Sequence, residues 1–349
     1  MRSFSDSHLH IYKYDYNKTA AFLDEILKNN VKEAAIQSLA AYIGAGVAQN
    51  LYALYMKHFY KKIKLYVFGS FQEFAPYAYV PYEKQAEHLL DMGCDGIKMI
   101  QMKPDVRKLL GKGICHPDYD KAFSMLEERN TPVLIHSGDP ETFWDITKMS
   151  EDHIRFGWYY GDGSYLSSEE HYAETFARLD KNPKLNVVLA HFFFLSFKPD
   201  EARRVLEKYP NVKFDLTPGW EMYDGFAKDA DFWHDFFEEN SERIIFGTDD
   251  HDRREAYRHK NIHKSVYSIL THEKTDFNIS TFENRPAKGL DLSDGALDKI
   301  CRENFLRFAG ENTSETILDR LLSEAEKMLF EIKDVKEQEN SALWIKSIL

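Results

Sequence analysis

The sequence has few cysteines, and it lacks both a long apolar run and an excess of basic residues. With three cysteines among 349 residues it cannot build a disulfide framework, and we expect all three thiols to be reduced. The first residues lack the apolar core of a secretory signal, and no apolar run approaches the roughly 18 residues of a membrane span. These absences predict a cytoplasmic protein that has no membrane contact.

The charge balance argues against a protein that binds nucleic acid. Lys and Arg total 45 against 57 for Asp and Glu, so the formal net charge is −12. A nucleic-acid binder needs a basic surface to neutralise phosphates, and we therefore expect a small-molecule substrate as the partner. Because 43% of the residues are hydrophobic, the chain can bury a large core.

Eight short, β-rich apolar runs alternate with longer segments that have helical spacing. The runs are Phe4–Ile11, Glu33–Leu39, Lys64–Phe71, Gly96–Ile100, Pro132–His136, Asn186–His191, Val212–Leu216 and Arg243–Gly247. Repeated strand–helix alternation predicts an α/β fold with a parallel sheet, and eight units fit a closed (β/α)₈ TIM barrel. A doubly wound open sheet is the alternative, although no Gly-rich phosphate-binding turn follows the first run.

The pattern divides the chain into a barrel domain over residues 1–310 and a C-terminal helical tail over residues 311–349. No strand is predicted after residue 250. The later segments with helical spacing are Arg254–Leu270, Asp294–Phe308 and Ser314–Ile332. We expect the tail to pack on the barrel or on a second subunit, and the second arrangement would make the protein a homo-oligomer.

Histidines and a carboxylate close several of the predicted strands. His8 and His10 end the first strand and share one of its faces, because alternate side chains of a strand point the same way. His136, His191 and Asp249 follow the fifth, sixth and eighth strands. The carboxyl ends of barrel strands meet at one mouth, so these side chains should converge there. Imidazoles with a carboxylate suit zinc or a similar divalent ion, and burying them without a metal would be costly.

These motifs resemble the amidohydrolase superfamily, specifically the amidohydrolase-related branch of metal-dependent TIM-barrel enzymes that includes aminocarboxymuconate semialdehyde decarboxylase-like proteins. The matching pieces are DSHLH at Asp6–His10, VLIHSGDP at Val133–Pro140, VVLAHF at Val187–Phe192, IIFGTDD at Ile244–Asp250 and ENFLRF at Glu303–Phe308. The ligands that the resemblance implies for a first divalent metal, with zinc as the expected ion, are His8, His10, His136 and Asp249. It implies that His191 either binds a second metal or orients the substrate.

Lys98, in the predicted fourth strand, has three interpretations. In binuclear members of the superfamily a lysine on this strand is carboxylated and bridges two metals, so the resemblance allows that role for Lys98. A free ammonium at the same place would instead bind a substrate carboxylate, and a purely structural lysine is the third interpretation. The expected metal count is therefore one or two.

The predicted reaction is metal-assisted hydrolysis of a C–N, ester or lactone bond in a small, anionic substrate. Asp249 would take a proton from the attacking water and return it to the leaving group, while His191 would polarise the bond under attack. The main alternative is a metal-dependent, non-oxidative decarboxylase of an aromatic or unsaturated carboxylic acid, which uses the same ligands. A barrel that binds metal without catalysis is the second alternative.

Loops that follow the predicted strands supply candidate substrate contacts. Arg253 and Arg254 follow the eighth strand, where a guanidinium could bind a carboxylate or phosphate. Trp144 and Trp158 lie in the long aromatic stretch 137–167, which we interpret as a wall or lid of the pocket. Trp220 follows the seventh strand and is a further candidate.

Overall fold

A parallel β-sheet forms the centre of the computed structural model, which describes residues 2–40, 46–73, 79–219, 221–280, 284–333 and 335–349. Nine strands lie in the order β8-β7-β6-β5-β4-β3-β2-β1-β9. They are β1 (Phe4–His10), β2 (Val31–Gln37), β3 (Lys64–Ser70), β4 (Gly96–Met102), β5 (Val133–Ser137), β6 (Val187–Leu189), β7 (Val212–Asp215), β8 (Ile244–Ile245) and β9 (Asp250–His251). Each predicted run overlaps one of β1 to β8, although β2, β4 and β5 extend beyond their runs.

The two ends of this strand order belong to one stretch of chain. β8 pairs with β7, whereas β9, only a few residues later, pairs with β1 through Leu9 and Asp250. The backbone N–H of Ser7 also donates to the carbonyl of Phe246 over 3.1 Å. The sheet therefore curls back on itself, and the predicted α/β TIM-barrel fold with C-terminal helices is confirmed.

Helices surround the sheet. They are α1 (Tyr16–Lys28), α2 (Gln49–Phe59), α3 (Tyr82–Asp91), α4 (Pro104–Leu110), α5 (Asp120–Glu128), α6 (Glu151–Arg155), α7 (Ser168–Lys181), α8 (Pro199–Lys208), α9 (Met222–Lys228), α10 (Ala230–Glu239), α11 (Ala256–Thr271), α12 (Asp294–Asp298), α13 (Asn304–Ala309), α14 (Leu318–Ile332) and α15 (Glu339–Ile348). α7 begins at a capping box, in which Ser167 and Glu170 satisfy each other's backbone N–H groups. Within the described residues, no helix is both long and apolar enough to cross a membrane.

Aromatic side chains close the amino-terminal end of the barrel. Phe305 and Phe308 of α13 reach into its interior, where Phe305 meets Tyr66 at a centroid distance of 5.0 Å and Phe308 stacks on Phe68 at 5.8 Å. All four rings are buried. Because this end is filled, the cavity lies at the carboxyl ends of the strands.

The prediction that no strand follows residue 250 is wrong. β9 begins there, and a separate antiparallel hairpin follows α11, with β10 (Asp276–Ser280) pairing with β11 (Asn284–Lys288). The first hairpin strand, DFNIS, alternates polar and apolar residues but is only five residues long. The second, NRPAK, has no such alternation and contains a proline, which argues against a strand. They pair with each other and stay outside the barrel sheet.

The C-terminal helices pack against the barrel's outer helices. The Trp344 ring of α15 lies 5.2 Å from that of Tyr52 and 5.8 Å from that of Tyr55, both on α2, and 5.7 Å from that of Tyr14. Trp344 is buried, whereas its neighbour Leu343 is exposed. α15 therefore presents one aromatic face to the barrel.

This packing predicts that alanine substitutions at two adjacent positions of α15 will lower the free energy of unfolding by very different amounts. Trp344→Ala should lower the free energy of unfolding by about 3–5 kcal/mol, because it empties a buried aromatic site. Leu343→Ala, on the exposed side of the same helix, should change it by about 0.5 kcal/mol or less. Equilibrium urea unfolding measures both. Equal losses of unfolding free energy in the two variants would show that the Trp344 ring contacts do not stabilise the fold.

Candidate active site

A cavity of about 290 Å³ opens at the carboxyl ends of the barrel strands, a size that suits a small molecule. The predicted site residues that line it are His8, His10, Lys98, His136, Trp158, His191, Asp249 and Arg254. These residues come from parts of the chain that are far apart in the sequence, and the barrel topology brings them to one place.

Three of these side chains form a compact group of potential metal donors. One ligand atom each from His8, His10 and Asp249 lies within 4.8 Å of the other two. Oδ1 of Asp249 is 3.1 Å from Nε2 of His10 and 3.9 Å from Nε2 of His8. Across the described ranges this is the one group of three or more His, Cys, Asp or Glu side chains with that geometry.

The second nitrogen of each histidine in this group is held by an acceptor. Nδ1 of His8 lies 3.0 Å from Oδ2 of Asp215, and Nδ1 of His10 lies 2.7 Å from the carbonyl oxygen of Gln37. Such contacts fix the ring orientation and the tautomer, and they turn the Nε2 lone pair of each histidine toward the cavity, where it could bind a cation. The donor set therefore fits a divalent metal.

Sequence reasoning missed Asp215, the last residue of β7. It was visible by the same criterion that selected Asp249, a carboxylate that ends a predicted strand. Asp215 also accepts the backbone N–H of His191 over 2.7 Å through Oδ1. One carboxylate thus orients both the His8 ring and the chain around His191.

The protonation states of the donor group favour cation binding. Burial, followed by the nearby Lys98 charge, lowers the pKa of His8 well below its ordinary value. Burial alone would raise the pKa of Asp249, but hydrogen bonding to His10 and the neighbouring imidazoles of His8 and His191 hold it well below its ordinary value. Unprotonated imidazole and ionised carboxylate are the forms that bind metals.

Lys98 lies in the middle of β4, because that strand continues to Met102 rather than ending at Ile100. Its side chain is buried, yet Nζ reaches to 3.2 Å from Nε2 of His8. Burial lowers the pKa of Lys98 to about 8, although Asp215 and Asp249 favour the charged form. A neutral fraction of the amine is therefore present near neutral pH.

The structure brings His136 next to His191. Nε2 of His191 lies 3.1 Å from Nδ1 of His136, while Nε2 of His136 lies 3.0 Å from the carbonyl of Gly138. A nitrogen beside a carbonyl must donate, so Nδ1 of His136 carries the lone pair that faces His191. Burial and the neighbouring His136 lower the pKa of His191 to about 4. His136, which the resemblance placed among the ligands of the first metal, is thus outside the compact group and forms a second pair of donors with His191.

His191 lies in a left-handed turn instead of the predicted end of the sixth strand. β6 ends at Leu189, and φ is 56° at His191 and 52–53° at Phe192, Phe193 and Phe194. Left-handed backbone costs roughly 1–2 kcal/mol per residue outside glycine. Burial of Phe192 and Phe193, together with the Asp215 hydrogen bond, offsets this cost. Strained backbone of this kind occurs at functional sites, and Asp249, with φ of 51°, shares it.

The two predicted arginines have different positions. Arg254 lines the cavity, and its Nη1 lies 3.3 Å from the carbonyl of Asp249 and 3.2 Å from Oδ1 of Asp250. Arg253 is exposed, and its guanidinium packs over the ring of Tyr12 at 4.2 Å. Of the pair, only Arg254 reaches the place where a substrate would lie.

Of the predicted tryptophans, only one is seen to line the cavity in the described part of the chain. Trp158 lines the cavity, whereas Trp144 packs behind that wall, where its Nε1 donates to the carbonyl of Leu166 over 2.8 Å. Trp220 lies outside the described residues. The remaining aromatic lining includes Phe143, Phe194 and Tyr12.

Sequence reasoning also missed Lys103 and Asp139, which line the cavity between β4 and β5. Burial alone would raise the pKa of Asp139. The Lys103 charge and hydrogen bonds from His136 and Tyr160 instead hold that pKa well below its ordinary value. The site therefore contains a second ionised carboxylate besides Asp249.

Comparison with known families decides the assignment. A family model described as amidohydrolase matches residues 71–308, which is more than half of the chain. The chain belongs to the amidohydrolase family. The resemblance found in the strand-end motifs is thereby confirmed. Members of this family are typically metal-dependent enzymes, in agreement with the donor group of His8, His10 and Asp249.

Solved structures of this amidohydrolase's fold include a decarboxylase. 2,6-Dihydroxybenzoate decarboxylase from Rhizobium is 13% identical, with a TM-score of 0.52 over 88% of this chain and 99% of that one. IDCase of Metarhizium anisopliae in its apo form is 14% identical, with a TM-score of 0.54 over 88% and 97%. An uncharacterised TIM-barrel protein of Bordetella bronchiseptica is 14% identical, with a TM-score of 0.51 over 88% and 99%. These likenesses show the fold alone, and no curated protein sequence matches this amidohydrolase significantly.

Proposed function

We propose that this amidohydrolase is a metal-dependent hydrolase of a C–N, ester or lactone bond in a small, anionic substrate. The observation that carries the proposal is the convergence of His8, His10 and Asp249 on one point of the cavity. A divalent ion held there, zinc by the nature of the donors, would lower the pKa of a water toward neutrality and polarise the bond under attack.

Asp249 is the member of the donor group best placed to move a proton. Its side chain is 22% exposed, whereas that of His8 is 1% exposed and that of His10 7%. A carboxylate that faces the cavity can accept the proton of the attacking water and deliver it to the leaving group. The two histidines, buried and held through Nδ1, would serve as fixed ligands.

His136 and His191 supply the next contacts. The two nitrogens that face each other would bind a second ion. Alternatively, His191 would polarise the bond under attack. Arg254 at the cavity wall supports an anionic substrate, because a guanidinium there would pair with its carboxylate or phosphate. Trp158 and Phe143 would exclude water from the bound substrate.

Non-oxidative decarboxylation of an aromatic or unsaturated acid is the second candidate function. The observation that favours it is the buried Lys98 ammonium beside His8, since a free cation there would hold a substrate carboxylate. The two reactions share the donor group and differ in what Lys98 does.

A paired substrate screen tests the proposal. Protein reconstituted with Zn²⁺ is assayed against lactones, esters and amides for acid release, and against aromatic and unsaturated acids for CO₂ release. Acid release that a chelator abolishes and Zn²⁺ restores would support hydrolysis. CO₂ release without any hydrolysis would favour the second candidate instead, and protein that binds no divalent metal would contradict both.

Lys98→Ala should lower turnover by about 10²–10³-fold, because it removes a charged group that faces the reacting centre. If Lys98 is a carboxylated bridge, its neutral amine adds CO₂ and releases a proton, so reconstitution of the parent should depend on bicarbonate. The variant should then also bind one metal fewer by elemental analysis. Loss of turnover with unchanged metal content would indicate direct substrate binding.

Lys213→Ala is the matched control for this variant. Lys213 of β7 is partly buried, and its pKa is also lowered to about 8 by burial, but its Nζ lies near Asn186 and the Phe308 ring at the opposite end of the barrel. This control should keep metal and turnover. If Lys98→Ala behaved like Lys213→Ala, Lys98 would be a structural bystander.

A further inference from the structure

A hydrogen-bonded group beside the cavity joins three separate parts of the chain. Lys103 follows β4, Asp139 follows β5 at the start of the stretch 137–167, which we name the aromatic segment, and Tyr160 lies near the end of that segment. Oδ2 of Asp139 accepts hydrogen bonds from Nζ of Lys103 over 2.9 Å and from the hydroxyl of Tyr160 over 2.7 Å. Two donors from different elements thus hold one carboxylate.

The other oxygen of this carboxylate faces a site histidine. Oδ1 of Asp139 lies 3.4 Å from Nε2 of His136, which also faces the Gly138 carbonyl. Acceptors on this side keep the proton of His136 on Nε2 and turn Nδ1 toward His191. The Gly138 carbonyl and the Asp139 carboxylate therefore together fix the direction in which His136 presents its lone pair, and the carboxylate is the one of the two that Lys103 and Tyr160 hold.

Tyr160 is the point at which the cavity wall is tied to that carboxylate. Its side chain is 1% exposed, and its backbone N–H donates to the carbonyl of Phe143 over 2.9 Å. Phe143 in turn stacks on Trp158, with centroids 5.8 Å apart and an interplanar angle of 17°, and both rings line the cavity. A displacement of this wall would withdraw the Tyr160 hydroxyl from Asp139.

We propose that Tyr160, Asp139 and Lys103 are positioning residues that couple the packed arrangement of the aromatic segment to the orientation of His136. This inference rests on the proposed function in that His136, paired with His191, binds a metal ion. Asp139 and Tyr160 act through the imidazole. When the aromatic segment packs over a substrate, the same hydrogen bonds then align His136 with His191.

The first test removes a single hydroxyl. Tyr160→Phe keeps the ring and deletes the bond to Asp139, whereas the matched control, Tyr165→Phe, deletes a hydroxyl from a ring packed 4.9 Å from that of Tyr160. Hydrogen–deuterium exchange is followed in peptides from residues 133–139 and 143–160. Exchange should accelerate in both peptides for Tyr160→Phe and in neither for the control. Acceleration confined to 143–160 would overturn the coupling.

The second test uses Zn²⁺ affinity, measured by chelator competition. Asp139→Asn should weaken the binding by about 10–100-fold, as loss of a carboxylate behind a ligand does. Because Tyr160 acts through Asp139, the double variant should bind no more weakly than Asp139→Asn alone. Multiplied effects of the two substitutions, or an unchanged affinity in Asp139→Asn, would overturn the proposal.

The two proposals fail in different ways. A parent protein that binds no Zn²⁺ contradicts the proposed function, while the exchange experiment still tests the coupling. A parent that binds Zn²⁺ and variants that match it in exchange and affinity contradict the coupling alone. If Tyr160→Phe does not fold, Lys103→Met removes the other donor to Asp139 and should accelerate exchange in the 133–139 peptide.

Discussion

Asp249→Asn should lower kcat/KM by a factor on the order of 10²–10⁴ while the protein remains folded, because general acid–base groups contribute rate factors of that size. The amide keeps the shape of the side chain but cannot accept the proton of the attacking water. Asn also tolerates the left-handed φ of 51° at this position, so the backbone should not change. Turnover of the substrate found in the screen and circular dichroism measure the two effects.

An exposed aspartate provides the control for this substitution. Asp231 of α10 is 87% exposed in its side chain and pairs with Lys274 far from the cavity. Asp231→Asn should leave turnover unchanged. Full activity in a folded Asp249→Asn variant would remove Asp249 from the mechanism and leave it, at most, a replaceable ligand.

His8→Ala should remove most of the bound divalent metal. The substitution deletes one of three converging donors, so affinity should fall by more than the roughly 10–100-fold that loss of an orienting partner costs. The loss of affinity in Asp215→Asn, which loosens the hold on Nδ1 of His8 and on the backbone at His191, should fall within that range. Elemental analysis after reconstitution with Zn²⁺ gives the metal content per chain.

His88→Ala is the matched control, since His88 lies on α3 with its side chain 52% exposed and near Glu324. Its metal content should equal that of the parent. The assignment of the donor group would be defeated if His8→Ala retained full metal content, or if the parent held no stoichiometric metal even after reconstitution.

The architecture and the main donor group were readable from local pattern. Each of β1 to β8 overlaps a predicted apolar run, and the two-residue spacing of His8 and His10 placed them on one face of β1. Asp249 was found because a carboxylate follows an apolar strand. In a closed parallel barrel the carboxyl ends of the strands must meet, so strand-end position is enough to predict that such side chains converge.

The predictions that were wrong concern segments whose own sequence gives little indication of their structure. The hairpin of β10 and β11 has strands of only five residues each, and the second contains a proline. These strands pair with each other, and burial of Ile279 and Ala287 against the rest of the molecule holds them in place. The turn at His191 has left-handed backbone that burial of Phe192 and Phe193 offsets, and neighbouring sequence gives no sign of that.

Strand spacing and strand-end chemistry thus specified the barrel and the convergence of His8, His10 and Asp249. Distances between side chains from different strands were not encoded locally. The pairing of His136 with His191, and the hold of Asp139 by Tyr160, join residues many positions apart in the sequence. Each pairing depends on how the strands are staggered and how the aromatic segment folds over them. These are properties of the packed molecule as a whole, because closure of the barrel sets the separation of its strand ends.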